Sequence, residues 1–235
     1  MEPLIEIRDL LRNDDSFAAV EHIQRQGAPL DIAARYGSLV MDLYWKVHDL
    51  PAVVTLGRAG ILYCLGQALM PEMPAEMAGK LRSGAKAMAY NVSSFVWPGW
   101  EEPGIDPKGA DLAFGADCAR LNLRLAIELK KPPSALSKAH WLVGAHALCS
   151  RDFAAAASEF QRAQDVLPAA DTAFAELEPC NLGYLAVARL CQAPTDTAAS
   201  GAFEQITSKL AADKSDDAQV YLTQLLAARR LFVPT

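Results

Sequence analysis

The sequence predicts an all-α fold, built as an α-solenoid of antiparallel helix hairpins. Three observations lead there. Apolar residues recur at spacings of three and four along most of the chain, and the alternating Val/Ile/Thr runs that mark strands are absent. Two segments, "SFAAVEHI" (16–23) and "DLPAVVTL" (49–56), align at Phe17/Leu50, Ala19/Ala52, Val20/Val53 and Ile23/Leu56, an offset of 33 residues. Such a period is the mark of a helical repeat array. With 51% hydrophobic and 21% charged residues there is ample apolar material for a core, and no Ser/Gly-rich linker or charge run divides the chain. A single helical-repeat domain over 1–235 is expected, with about eleven helices in four or five hairpins.

The elements follow in order. After the segments at 16–23 and 49–56, the run "AVVTLGRAGILYCLGQALM" (52–70) is nearly long enough to cross a bilayer. Arg58 at its middle would cost about 2.5–3.5 kcal/mol there, so a buried helix explains it better. The next helix carries Tyr90, Val92 and Phe95 and ends at Trp97.

A connector, "WPGWEEPGIDP" (97–107), breaks the helical pattern and reads as a structured loop inserted within one hairpin. Pro98-Gly99 and Pro103-Gly104 each predict a type II turn, because Pro fixes a negative φ and Gly accepts the positive φ that follows. Asp106-Pro107 predicts an N-cap and first helical position for the helix in "ADLAFGADCARLNLRLAIEL". Trp97 is expected to be a core plug and Trp100, beside Glu101 and Glu102, the more exposed indole.

The clearest unit is "SKAHWLVGAHALCSRDFAAAASEFQRAQDVLP" (137–168). Two helices meet across the short turn Ser150-Arg151-Asp152. Gly144 and Ala156 would let them approach closely, with Phe160 filling the space beside them and Ala154 facing outwards. Leu182-Gly183-Tyr184 belongs to a further first helix whose partner is "ASGAFEQITSKLA". A last helix within 214–235, ending on Arg229-Arg230, would cap the array, since cations suit a helix C-terminus.

At residues 137–168 the chain resembles a tetratricopeptide repeat. Gly144 matches the glycine of that family's first helix; Ala156, Phe160 and Ala163 match the alanine, aromatic and alanine positions of its second, and Pro168 its closing proline. His140 beside Trp141 and Ala147 depart from the aromatic positions the family prefers. The resemblance implies a right-handed superhelix and a protein or peptide partner held on a concave face of first-helix residues. Here those are Lys138, Trp141, Ala145, Asn181 and Tyr184, with Trp100, Glu101 and Glu102 as a second contact at the loop.

Composition excludes several functions. Lys+Arg 22 against Asp+Glu 28 gives a net charge of -6, with the cations scattered, so no nucleic-acid surface is expected. Neither a membrane span nor a secretory leader is read in the sequence, and five cysteines without a CxxC pair suit a reducing, cytoplasmic setting. His140 and His146 lie six apart on different helix faces with no metal-protease Glu, and read as interior or groove histidines. No nucleophile elbow or phosphate loop is present. A binding scaffold without catalytic residues, metal or cofactor is therefore expected, with homo-oligomerisation left open. The alternative is a sensor holding a small molecule or signal peptide in a pocket inside the superhelix. An enzyme built on the acids at 101–106 is a third reading, with the least support.

Overall fold

The computed structural model describes residues 2–13, 15–25, 27–168 and 177–234. Among them the protein is all-α, with eleven α-helices and no strand. By its contacts the chain divides into two compact units: residues 1–96 with 102–129, and residues 97–101 with 130–235.

The first unit holds α1 (Glu2–Arg12), α2 (Ser16–Gln24), α3 (Pro29–Asp42), α4 (Leu50–Ala68), α5 (Ala75–Phe95) and α6 (Gly109–Glu128). The apolar run at 52–70 becomes α4, packed against α3 and α5. No described helix is long and apolar enough to cross a membrane. Two of the three glycines of α4 permit close contact. A Cβ on Gly57 would stand 2.3 Å from Val92, and one on Gly60 would stand 2.7–2.9 Å from Met88 and Tyr36, so neither neighbouring helix could lie so close to a larger residue. Arg58, on the outer side, stacks its guanidinium 4.2 Å from the Phe114 ring.

Of the four pairs aligned between 16–23 and 49–56, two are buried on both sides, and Val20 is half-buried opposite the buried Val53. Ala19, Ile23, Ala52, Val53, Leu50 and Leu56 are all buried. Phe17, set against Leu50, is 87% exposed, so α2 carries its first aromatic on the solvent side.

The second unit holds the 3₁₀ turn Pro98–Trp100 and α7 (Pro133–Cys149), α8 (Phe153–Asp165), α9 (Leu177–Gln192), α10 (Thr197–Ala212) and α11 (Asp216–Phe232). Helices α7 and α8 pack on each other, α8 on α9, and α9 on both α10 and α11. Arg151, in the left-handed region at φ 59°, ends α7, and Asp152 caps α8 by accepting from the Ala155 N–H at 3.0 Å. A Cβ on Gly144 would meet the Phe160 ring at 2.8 Å, while Ala156, Phe160 and Ala163 are fully buried and Ala154 is exposed. The register of this hairpin is the one its sequence predicts. Helix α11 begins with Asp216 and Asp217 and ends with Arg229 and Arg230, each sign at the pole of the helix dipole that favours it.

The connector corrects two expectations. Residues 97–100 do not form a type II turn: Gly99 has no positive φ, and Glu101 takes the left-handed conformation at φ 48° instead. The physical reason is the Trp97 indole, which folds over Gly99 so closely that a Cβ there would lie 2.4 Å from its Nε1. The second turn follows the expectation, with Gly104 at φ 82° and the Ile105 N–H donating to the Glu102 carbonyl at 3.1 Å. Asp106 does not cap α6. It pairs with Lys108, and the helix starts two residues later, where Asp111 accepts from the Lys108 N–H at 2.8 Å.

Overpacking a close helix contact costs about 1–3 kcal/mol. Gly144→Leu and Ala156→Leu are expected to lower the urea midpoint by an amount in that range, and Ala154→Leu to leave it near that of the parent. Equal midpoints for all three would show that the α7–α8 contact lies elsewhere.

Candidate functional site

The second unit is assembled around aromatic rings. Trp97, only 1% exposed, stacks on Phe232 of α11 at 5.4 Å and 14°. It meets Trp141 of α7 edge-on at 6.2 Å, Tyr184 of α9 at 6.3 Å and His146 of α7 at 6.4 Å. Tyr184 also touches Trp141 at 5.1 Å and Phe160 at 5.3 Å. Burial, reinforced by the neighbouring Cys180, pushes the Tyr184 hydroxyl well above its ordinary pKa, and the Trp97 indole N–H leans towards it without closing a well-formed hydrogen bond.

Of the residues the sequence nominates for binding, four therefore lie inside, the fully buried Ala145 among them. Trp141 and Tyr184 are part of this cluster, and Asn181, one turn from Tyr184, is buried with its amide donating to the Ser137 hydroxyl at 3.0 Å. With at most 7% of their surface accessible, these four serve mainly to hold the unit together. Lys138 is exposed on α7. Trp100 is half-buried, its ring 6.0 Å from that of Trp141. Glu101 is exposed and pairs with Arg230 of α11. Glu102 belongs to the first unit, where its carboxylate lies 3.5 Å from His48 Nε2. The acids of the connector are thus each engaged by a cation or an imidazole of their own unit.

His140 gains a partner that sequence spacing on one helix could not show. Its Nδ1 lies 2.7 Å from Glu159 on α8, and Arg162 lies 2.6 Å from the other oxygen of the same carboxylate. An ionised carboxylate only accepts, so Nδ1 carries the proton. Burial works to raise the Glu159 pKa, but the His140 hydrogen bond and charge, with Arg162, outweigh it and hold the carboxyl below its usual value. The cysteines offer no nucleophile. Burial raises Cys64 and Cys191 to about 11 and Cys118, Cys149 and Cys180 to about 12, so each stays a thiol at neutral pH. No group of three or more His, Cys, Asp or Glu able to hold a metal occurs among the described residues.

An open feature among the described residues of this unit is a groove between α9 and α10. It encloses about 320 Å³ and is lined by Glu178, Pro179, Leu182, Leu185, Ala186 and Arg189 on one side. On the other stand Ala199, Ala202, Gln205, Ile206 and Lys209. Both sets follow the three-and-four spacing of a helix face, and the alanines make the furrow. On α9 this face is turned away from the one that buries Asn181 and Tyr184. The same spacing of Leu182, Leu185 and Arg189 is readable in the sequence, but it is overshadowed there by the aromatic Tyr184.

Two measurements test this layout. Trp97→Ala is expected to cost about 3–5 kcal/mol, the range for a buried aromatic lost to a cavity. Trp100→Ala should cost about 1 kcal/mol, as for a partly exposed contact. A larger fall in melting temperature for Trp100→Ala would reverse the two roles. Because the Glu159 carboxyl is depressed in the folded protein, its contribution to stability is present above the unfolded glutamate value of about 4.3 and is lost as pH falls through the lower folded value. The gap in melting temperature between parent and Glu159→Gln should therefore be full at pH 6 and narrow below about pH 4; a gap that widens on acidification would contradict the assignment. No protein-family model, curated protein or solved structure matches the chain, so the use of the groove is argued from its own chemistry.

Proposed function

We propose that this chain is a binding scaffold for a protein or peptide segment, and that the α9–α10 groove receives it. In this reading α7–α8 and α9–α10 are two hairpins of a tetratricopeptide-like array closed by α11, in a cytoplasmic protein that works without a cofactor. The observation that carries the reading is the groove itself: an apolar floor in which Leu182, Ala202 and Ile206 keep accessible surface over the buried Leu185 and Ala186, with charged side chains at its rim. An apolar centre with a polar rim is the anatomy of a protein interface. Its form also favours a scaffold over the small-molecule sensor, because it is a furrow between two helices and its volume stands at the low end for small-molecule sites. Lys138 and Trp100 remain as a second, smaller contact with accessible surface, in the same unit.

Selection from a random peptide display library against the whole protein tests the proposal. Selected peptides should bind the parent and lose more than about tenfold in affinity to Ala202→Trp, which fills the furrow. Circular dichroism and an unchanged melting temperature would establish that this variant folds. Peptides that bind both proteins equally would place the binding surface outside the groove.

A further inference from the structure

We propose that the occupant of the α9–α10 groove is an acidic amphipathic helix about three turns long, held by carboxylates on Arg189 and Lys209. This rests on the groove being the binding surface.

Length comes first. The lining residues of α9 run from Glu178 to Arg189 and those of α10 from Ala199 to Lys209. At 1.5 Å per residue that is a furrow about 16 Å long, matching some eleven residues of helix. Conformation comes second. Both walls are helices whose backbone groups are bonded within the helix, so they offer no sheet edge to an extended strand. A strand lying there would leave its own amides without partners, whereas a helix satisfies them itself and presents only side chains.

Charge decides the sign. Helices α9 and α10 join through four residues, 193–196, and run antiparallel, so Arg189 stands at the end shared with Ala199 and Lys209 at the end shared with Glu178 and Pro179. Both cations are exposed and form no ion pair with a described residue. In a chain of net charge -6 the groove thus carries two cations against the single Glu178. Two residues eleven apart on a helix differ by about 20° around its axis, at about 3.6 residues per turn. One face of an incoming helix can therefore bring a carboxylate to each end of the furrow and apolar side chains to the floor between them.

The probe is a synthetic fluorescein-labelled helical peptide with glutamates eleven positions apart and leucines between them on the same face. A second peptide carries lysines in place of the glutamates. Fluorescence anisotropy at low salt is read for the whole protein, the double variant Arg189→Glu/Lys209→Glu, and Ala202→Trp. The glutamate peptide should bind the parent, weaken by at least about tenfold against the double variant, and there become a poorer ligand than the lysine peptide. Equal affinity for both peptides, or no response to the charge reversal, overturns the acidic helix while a loss with Ala202→Trp still upholds the groove. Binding untouched by Ala202→Trp removes both readings. Binding of neither peptide, or of dodecanoate in their place, likewise overturns the acidic-helix occupant.

Discussion

The second unit depends on the enclosure of the Trp97 indole. Rings from α7, α9 and α11 converge on it, and Pro98, Gly99 and the left-handed Glu101 shape the short turn that carries it. Dispersion and area burial are both large for an indole, and edge-to-face, tilted and stacked contacts with four other aromatic rings add to them. The same indole excludes a side chain at position 99. A residue that breaks the helical pattern of its own neighbourhood is thus the organising centre of helices that follow it in the chain.

That arrangement explains why binding residues cannot be picked by aromatic character here. Helix α9 has two apolar faces. One carries Asn181 and Tyr184 to the interior; the other carries Leu182, Leu185 and Arg189 to the furrow. Periodicity reports that a face is apolar, and it does not report which of two such faces another element covers. Tyr184 and Trp141 read as anchors because large aromatics dominate interfaces, yet the same area makes them the preferred filling of a core.

What the sequence made legible is local. Gly144 against Phe160, the short turn at Ser150-Arg151-Asp152, the turn at Gly104 and the arginines that end α11 each depend on residues near one another in the chain or within one hairpin, and each is found as read. The misreadings turn on side-chain contacts that composition does not fix. Pro98-Gly99 has the composition of a type II turn, but an indole folded over the glycine selects a 3₁₀ turn. Asp106 has the composition of a cap, but Lys108 engages it and Asp111 takes its place. Glu159 is nineteen residues from His140, beyond any one-helix spacing, and only the α7–α8 packing joins them. The groove is built from alanines, whose smallness is visible in sequence while the hollow they leave is not.

The discontinuity of the second unit has a consequence for biosynthesis. Residues 97–101 leave the ribosome before all of α6, and Phe232, the ring that stacks on Trp97, is about 135 residues later. At about 5–20 residues per second the indole waits roughly 7–27 s for its last partner. The first unit has all its residues by position 129 and can close in that interval, whereas Trp97 lacks its stacking partner until Phe232 has been made. A nascent chain paused before position 232 therefore carries an indole whose enclosure is incomplete, and exposed apolar surface of this kind is what makes partly folded chains prone to aggregate.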